Sequence, residues 1–354
     1  MSKALKSELQ KLLFDGTVIP AIPLALKSDR SFDERRQRAL ARYYMAAGSG
    51  GLAVGVHTTQ FEIRDPEVNL FEPVLRITAE TIDAERLTRP FIKVAGICGP
   101  TEQAVREARL AVSLGYDVGL LSNGGLGSWS DDQLVERTKA VAEIIPVIGF
   151  YLQPSVGGRL LSYDFWRRVA DVPGVVAVKI APFNRYQTLD VVRAVCMSER
   201  RDEIALYTGN DDNIVVDLLT KYRFQVDGEV VEKRIVGGLL GHWAVWTQKA
   251  VELLEKAKAV RDSAEGIPHE MLTLAAQVTD SNAAFFDPSH NFAGCIPGIH
   301  EVLRRQGLLE GRWCLNPNEV LSPGQMEEID RVYREYPHLN DDAFVAEHLD
   351  KWLQ

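Results

Sequence analysis

The segment Gly174–Ile180, with the sequence GVVAVKI, reads as a short buried β-strand that carries a lysine near its C-terminal end. Its valines and isoleucine favour a strand, and the preceding Pro173 marks its start. Alternation along the strand places Val175, Ala177 and Lys179 on one face. Burial disfavours an ammonium group, so it lowers the pKa of a lysine and yields a nucleophilic amine. Two interpretations of Lys179 are open: a reactive amine, or the partner of a carboxylate at the strand end.

Strand and helix patterns alternate on both sides of this segment. Eight such alternations precede residue 260, which is the size of a (β/α)8 TIM barrel. A doubly wound open sheet is the alternative, but no G-x-G-x-x-G motif follows the first strand. We therefore predict an α/β fold of the TIM-barrel class. The predicted strands cover residues 17–26, 52–56, 91–97, 118–121, 146–151, 175–180, 203–208 and 235–240.

The domain organisation follows from where this alternation ends. We predict a barrel over residues 1–260, with a short helix over 3–13 in front of it. Helical patterns dominate residues 261–354, which we expect to form a C-terminal helical extension packed on the barrel. Residues 223–234 are a polar insertion before the eighth strand, and Asp227-Gly228 predicts a hairpin turn within it.

Composition narrows the class of protein. The chain has 354 residues, 46% of them hydrophobic, and a formal net charge of −9, so nucleic acid and anionic membranes are not expected partners. The four cysteines include no CxxC pair, which indicates a reducing compartment and neither a disulfide framework nor a zinc site. The sequence shows no signal peptide and no apolar run of membrane-spanning length, so we expect a cytoplasmic protein.

Chemically capable side chains collect at the predicted C-terminal strand ends, where the active site of a (β/α)8 barrel lies. In strand five, alternation places Gly149 and Tyr151 on the inferred inner face, so the Tyr151 phenol should lie near the Lys179 amine. Such a pair suits Schiff-base chemistry, in which the amine attacks a carbonyl and the phenol relays protons. The other candidates are His57, Thr58, Thr59, Gly209, Asp211, Asp212, His242 and Trp243.

Each candidate also has a structural interpretation. Tyr151 could be a rim tyrosine bonded to the backbone, and Thr58-Thr59 could cap the next helix. For Asp211 or Asp212 we favour the N-cap of helix seven over catalysis. His57, His242 and Trp243 could line a pocket or pack in the interior. Without a nearby carboxylate cluster, the two histidines make a poor metal site, and no metal is predicted.

Taken in order, these residues resemble the dihydrodipicolinate synthase / N-acetylneuraminate lyase family of class I aldolases. The resemblance covers roughly residues 15–315 and implies a (β/α)8 barrel and a homo-oligomer, commonly a tetramer built from dimers. It also implies that Lys179 is the Schiff-base lysine, that Tyr151 is the proton relay and that Thr58-Thr59 bind the carboxylate of a 2-keto acid. The matching motifs are Thr58-Thr59, Tyr151-x-x-Pro154, Gly174-Val-Val-Ala-Val-Lys179 and Gly209-Asn-Asp-Asp212.

The chain departs from the family pattern around the substrate. Gln60 follows the threonines where the family has a glycine, and Val156 stands where the synthase branch has an arginine. Arg159 and Arg185 are the nearest replacements for that arginine. A dihydrodipicolinate synthase proper is therefore not expected, and the pocket reads as bulkier and more aromatic.

We therefore predict a Schiff-base-forming lyase, either an aldolase or a hydro-lyase, that acts on pyruvate or another 2-keto acid. Lys179 and Tyr151 would be catalytic, and no cofactor beyond the covalent imine is expected. The partners would be a 2-keto acid or aldehyde substrate and a second copy of the chain, as a homodimer or homotetramer. An altered barrel that only binds or senses a small molecule is the alternative, and a metal enzyme using His57, His242 and Asp211 is a weaker one. The predicted substrate-binding residues are Thr58, Thr59, His57, Gly209, His242, Trp243 and Arg185.

Overall fold

A computed structural model describes residues 4–354 of the chain. Lys3, the first residue of the predicted N-terminal helix, and the other residues before position 4 lie outside the described part. The strands are β1 (Val18–Pro20), β2 (Gly51–Val54), β3 (Ile92–Ile97), β4 (Val118–Ser122), β5 (Val147–Tyr151), β6 (Val175–Ile180), β7 (Ala205–Thr208), β8 (Lys221–Val226) and β9 (Glu229–Leu240). The α-helices are α1 (Ser7–Asp15), α2 (Glu34–Ala46), α3 (Phe71–Ala84), α4 (Thr101–Ser113), α5 (Asp131–Ala142), α6 (Tyr163–Ala170), α7 (Arg185–Cys196), α8 (Ile214–Leu219), α9 (Thr247–Asp262), α10 (His269–Phe286), α11 (Cys295–Arg305), α12 (Gln325–Glu335) and α13 (Asp342–Trp352).

One structural unit consists of the described residues up to 17 and of residues 92–239. Within it, strands β3, β4, β5, β6, β7 and β9 form a parallel sheet in that order. The strands are buried along most of their length, as expected when helices cover a parallel sheet. A glycine is required at position 237, where the backbone of Thr17 lies 2.6 Å from the place of an added Cβ.

The predicted hairpin is confirmed. Strand β8 pairs antiparallel with the first half of β9, and both turn residues, Asp227 and Gly228, have positive φ angles of 50° and 88°. This is the backbone of the two-residue turn that Asp-Gly favours. The eighth barrel strand was predicted to begin at residue 235, but β9 begins at Glu229, because the hairpin arm continues directly into the barrel strand.

The second unit consists of residues 18–91 and 240–354. Within it β1 and β2 are bonded in parallel, with the Ile22 N–H on the Ala53 carbonyl at 2.9 Å and the Gly50 N–H on the Val18 carbonyl at 3.0 Å. Helices α10 to α13 supply the predicted helical C-terminal part. Asp341 ties α13 to α2, since its carboxylate accepts the Tyr43 hydroxyl at 2.8 Å.

The element order confirms the predicted class: the chain is a (β/α)8 TIM barrel with a C-terminal helical extension. The domain boundary at residue 260 stays a prediction. Within residues 4–354, no helix combines the length and the apolar character needed to cross a bilayer. Cys98, Cys196, Cys295 and Cys314 are free thiols.

Candidate functional site

Lys179 lies at the C-terminal end of β6 and is only 7% exposed. The strand register pairs it with Phe150 of β5 and Tyr207 of β7. Its Nζ lies 4.2 Å from the centre of the Phe150 ring. Gly209 makes room for the lysine stem, since a Cβ at that position would lie 2.6 Å from the Lys179 Cε. The predicted site residue Gly209 is therefore brought against Lys179.

The surroundings of Lys179 alter its titration. Burial lowers the pKa of Lys179 to about 8, and the carboxylate of Asp211 acts in the opposite direction. At a pKa of about 8, about one amine in ten is neutral at pH 7, far more than for an ordinary lysine. A buried, partly neutral amine at a strand end is what nucleophilic attack on a carbonyl requires.

The prediction that Tyr151 shares the inner face with Lys179 is wrong. Val147 pairs with Val175 as the alternation requires, but Ile148 then pairs with Ala177, so Val176 is an extra residue in β6. A one-residue bulge reverses the facing of every later pair. Phe150, and not Tyr151, consequently stands beside Lys179.

Tyr151 instead lies on the helix-facing side of β5. Its ring centre is 5.6 Å from that of Trp166 in α6, and the neighbouring Gly149 faces the same tryptophan. Its hydroxyl accepts the Leu161 N–H at 3.2 Å and donates to the Leu161 carbonyl at 3.4 Å. The inward position predicted for Gly149 is thus also wrong. This geometry matches the rim-tyrosine interpretation, while the relay role stays a prediction.

The segment after β7 holds two aspartates in positions that the sequence misjudged. Helix α8 begins at Ile214 after Asn213, so neither Asp211 nor Asp212 is its N-cap, as we had favoured. The backbone N–H of Asp211 instead bonds to the Gly209 carbonyl at 3.1 Å, and the residue is buried. The negative charge of Asp211 favours the ammonium form of Lys179 and so opposes the lowering of its pKa.

Arg185, a predicted substrate-binding residue, is held by a buried carboxylate. Its guanidinium pairs with Asp217 of α8, which is fully buried. The same carboxylate accepts from Thr208 at 2.7 Å, Asn210 at 2.9 Å and Asn213 at 3.1 Å. Arg185 is therefore part of the support of the β7 end.

Arg159, the other replacement considered for the family arginine, is also engaged. Its Nη1 donates to the carbonyls of Leu126 and Trp129, each at 2.8 Å. Both candidate arginines thus have internal partners, and a substrate carboxylate could bind only the donors that these contacts leave, such as Nη2 of Arg185.

In the second unit, the predicted carboxylate-binding threonines form a short 3-10 turn over His57–Thr59. The Thr58 hydroxyl donates to the Ala21 carbonyl at 2.9 Å, and the Thr59 hydroxyl donates to the Ile22 carbonyl at 2.8 Å. Both hydroxyl protons are used to fasten the turn to the end of β1. The Thr59 N–H is also used, since it donates to the Val56 carbonyl at 3.0 Å. Any donation from the two threonines to a carboxylate would therefore have to come from the Thr58 N–H.

Gln60 retains the backbone conformation for which a glycine is usual, with a φ of 67°. Its side chain is 1% exposed, and its Oε1 accepts the Leu315 N–H at 2.6 Å. The residue that replaces the family glycine therefore binds the threonine turn to the C-terminal extension.

His242 and Trp243 pack in the interior of the second unit. Burial lowers the pKa of His242 to about 4, and its ring stacks on Phe285 with centres 5.7 Å apart. Trp243 is buried, whereas His57 is half-exposed, with its ring centre 6.1 Å from that of Phe61. Within residues 4–354 no group of three or more His, Cys, Asp or Glu side chains is arranged to hold a metal ion.

Sequence reasoning missed three of these features. The position of Phe150 beside Lys179 was missed, because the residue types of β5 and β6 do not indicate the bulge at Val176. Asp217 could have been found, because a carboxylate in the apolar run Ile214–Leu219 needs buried partners. The Gln60–Leu315 contact joins residues 255 positions apart, beyond the reach of local patterns.

We compared the chain with known proteins, first by sequence. No protein-family model matches it. The 4-hydroxy-tetrahydrodipicolinate synthase of Bifidobacterium longum (strain DJO10A) is 30% identical over 200 residues, which are 55% of this chain and 60% of that protein. The Clostridium novyi (strain NT) enzyme of the same name is 31% identical over 136 residues, 38% of this chain and 44% of that protein. The chain thus spans about 60% or less of the length of these relatives.

Solved structures match over a greater length at lower identity. Dihydrodipicolinate synthase from Oceanobacillus iheyensis matches with a TM-score of 0.72 at 18% identity, over 94% of this chain and 99% of its own. N-acetylneuraminate lyase from Fusobacterium nucleatum matches with a TM-score of 0.68 at 17% identity, over 91% and 99%. The Acinetobacter baumannii dihydrodipicolinate synthase complexed with pyruvate gives 0.71 at 19% identity, over 91% and 99%.

The chain therefore shares the (β/α)8 fold of these solved structures. In sequence, part of the chain is similar to 4-hydroxy-tetrahydrodipicolinate synthases, and in fold it is similar to dihydrodipicolinate synthases and N-acetylneuraminate lyases.

Proposed function

We propose that this chain is a Schiff-base-forming lyase that acts on pyruvate or another 2-keto acid through Lys179. The observation that carries the proposal is the buried amine at the end of β6, whose pKa falls to about 8. The A. baumannii relative complexed with pyruvate supports a 2-keto acid as the ligand class. The finer reaction would be an aldol cleavage or condensation, or loss of water from a hydroxylated keto acid.

The chemistry follows from the state of the amine. Neutral Lys179 attacks the ketone carbon, and the resulting carbinolamine loses water to give an imine. Loss of a proton, or of an aldehyde, from the adjacent carbon then gives an enamine, because the protonated imine accepts the electron pair. The enamine carbon then takes a proton, or attacks an aldehyde whose oxygen takes a proton, and either step regenerates an imine. Water hydrolyses this imine, which releases the product and restores the amine.

Each step needs a group that takes and returns protons. The family resemblance assigns this role to Tyr151, whose hydroxyl is bonded to Leu161. Asp211 is the buried carboxylate that acts on the charge of Lys179. We therefore favour Asp211 over Tyr151 as the relay.

We propose the backbone N–H of Thr58 as the donor of this turn to the substrate carboxylate, since both hydroxyls and the Thr59 N–H are donated to carbonyls of the protein. His57, Gly209, Arg185, His242 and Trp243 remain proposed pocket residues. We propose that no cofactor is needed beyond the imine. We also propose that the chain forms a homodimer or homotetramer. The four free thiols are in keeping with a further proposal, that the chain works in the cytoplasm.

Borohydride trapping tests the proposal. The full chain is incubated with each of a panel of 2-keto acids that includes pyruvate, reduced, and mapped by peptide mass spectrometry. We expect a stable adduct on Lys179 with at least one acid, and none at that position in Lys179→Ala. Lys233→Ala is the matched control, because Lys233 is another partly buried lysine with a lowered pKa. Failure of every acid to modify Lys179 would refute the function.

One observation favours the alternative of a barrel that binds a small molecule without catalysis. Arg159, Arg185 and both threonine hydroxyls are engaged by the protein itself. In that case thermal-shift screening would find a ligand that stabilises Lys179→Ala as strongly as the parent chain, and no adduct would be trapped.

A further inference from the structure

The second unit contains a cavity of about 480 Å³, within the size range of small-molecule sites. It lies where the loop after β1 meets the segment that follows α11. The residues that matter for its chemistry are Arg30, Arg304, Glu310, Arg312, Trp313 and Glu319.

Each of the three guanidinium groups that line the cavity is hydrogen-bonded to the protein but keeps N–H donors that these bonds do not use. Arg304 binds the buried carboxylate of Glu301 at 2.8 and 3.0 Å, and Arg312 binds it at 3.3 Å. Arg30 donates its Nε–H to the Cys314 carbonyl at 3.0 Å. A guanidinium carries five N–H donors, so contacts within the described residues leave donors of each arginine for a ligand. Because Arg304 and Arg312 both bind the buried Glu301 carboxylate, their guanidinium groups are held in position before a ligand binds.

The carboxylates of the lining do not cancel this charge. Glu310 is exposed, and solvent screens its charge as it screens the charges of the exposed Arg304 and Arg312. Burial and the nearby Glu62 raise the pKa of Glu319 to about 7, so its carboxyl is partly neutral near neutral pH. Three guanidinium groups disfavour a cation. The Glu301 carboxylate is already bound by Arg304 and Arg312, so the carboxylates that oppose an anion are the exposed Glu310, the partly neutral Glu319 and the nearby Glu62.

We propose that this cavity is a binding site for a small organic anion that carries a carboxylate or phosphate group. The planar fork of arginine matches both groups with paired hydrogen bonds. Trp313 supplies an apolar face for the remainder of the ligand. This site is separate from Lys179, and its existence does not depend on the proposed lyase function.

The cavity wall also has a physical connection to the threonine turn. Leu315 follows Cys314 of the lining, and its N–H is bonded to Gln60, the residue after Thr59. Glu62 of the same loop acts on the charge of Glu319. An occupant of the cavity would therefore contact the segment that holds this turn.

Isothermal titration calorimetry and thermal shift on the full chain test the site, with succinate and inorganic phosphate as probes at constant ionic strength set by sodium chloride. We expect at least one probe to bind and to raise Tm, and the one that binds identifies the acidic group. Arg30→Gln and Arg312→Gln should each weaken binding about tenfold or more. Arg312→Lys should recover only part of the loss, because it keeps the charge without the fork.

Arg223→Gln is the matched control, since Arg223 is an exposed arginine on the hairpin, paired with Glu232. It should bind the probe like the parent, and so should Lys179→Ala. The proposal fails if neither probe binds above the chloride background, if both Arg30→Gln and Arg312→Gln bind normally, or if Lys179→Ala abolishes binding. Arg30→Gln keeps the test valid if loss of the Glu301 contact unfolds the Arg312 variant.

Discussion

The end of β6 and the threonine turn after β2 differ in what they leave available to a substrate. At the end of β6, Lys179 is buried beside an aromatic ring and a glycine that gives it space, and its amine is partly neutral. In the turn, both hydroxyls donate to the protein's own carbonyls, and Gln60 fills the glycine position. Under the proposed function, the first region keeps the buried amine that imine formation uses, while the second lacks free threonine hydroxyls for a substrate carboxylate.

The largest expected effect sharpens the first half of this comparison. In Gly209→Ala, the new Cβ would lie 2.6 Å from Lys179 Cε and 2.7 Å from the Ala181 Cβ. Displacement of the lysine should lower kcat/KM, or the rate of imine trapping, by about 10²-fold. Gly127→Ala is the control, since no described atom lies within 4 Å of its added Cβ. Equal activity of the two variants would show that Lys179 does not need this position.

The next prediction concerns pH. Imine formation should increase as pH rises through about 8, because only the neutral amine attacks. Asp211 favours the ammonium form, so Asp211→Asn should lower the pKa of Lys179 and move the midpoint of the trapping rate to lower pH. The exposed Asp190 of α7 supplies the control Asp190→Asn. A midpoint that stays in place or moves upward contradicts the assignment of Asp211.

A smaller effect is expected for Tyr151→Phe. The variant loses two hydrogen bonds to Leu161, so it should lose about 1–2 kcal/mol of unfolding free energy while kcat/KM changes less than about tenfold. Chemical denaturation and steady-state kinetics measure the two quantities. Tyr163→Phe in α6 is the control, since the centre of the Tyr163 ring lies 4.4 Å from the Arg193 guanidinium carbon and Tyr163 is not among the residues bonded to Leu161. A loss of activity beyond about 10²-fold with little loss of stability would restore Tyr151 as the relay.

The smallest expected effect is the difference in stability between two variants of Gln60, the residue that follows the threonine turn. Gln60→Ala loses the bond to Leu315 but keeps a positive φ, so it should be destabilised by about 1–2 kcal/mol. Gln60→Gly loses the same bond but is relieved of the backbone strain, and should be less destabilised than Gln60→Ala. Urea midpoints of the two variants measure the difference. The reverse order would mean that the positive φ carries no strain here.

Local patterns sufficed for the fold class and for the hairpin. Valine-rich strands alternating with amphipathic helices predict the barrel, and Asp227-Gly228 predicts a turn whose backbone few other residues adopt. They sufficed also to place Lys179 at a strand end. They failed at Tyr151, because the bulge at Val176 depends on how β5 and β6 pack and not on their residue types. Arg185 and Gln60 were similarly obscured, since their partners are distant or lie in another element.

The bulge has a consequence for reading relatives of this chain. A sequence alignment records only the order of residues along each chain. The unpaired Val176 does not change that order, but it changes which later side chains of β6 pair with those of β5 on the same face of the sheet. Tyrosines that share a column can thus belong to different surfaces. A role for Tyr151 can therefore be inferred from a similar sequence only when the pairing of β5 with β6 is known as well as the residue type.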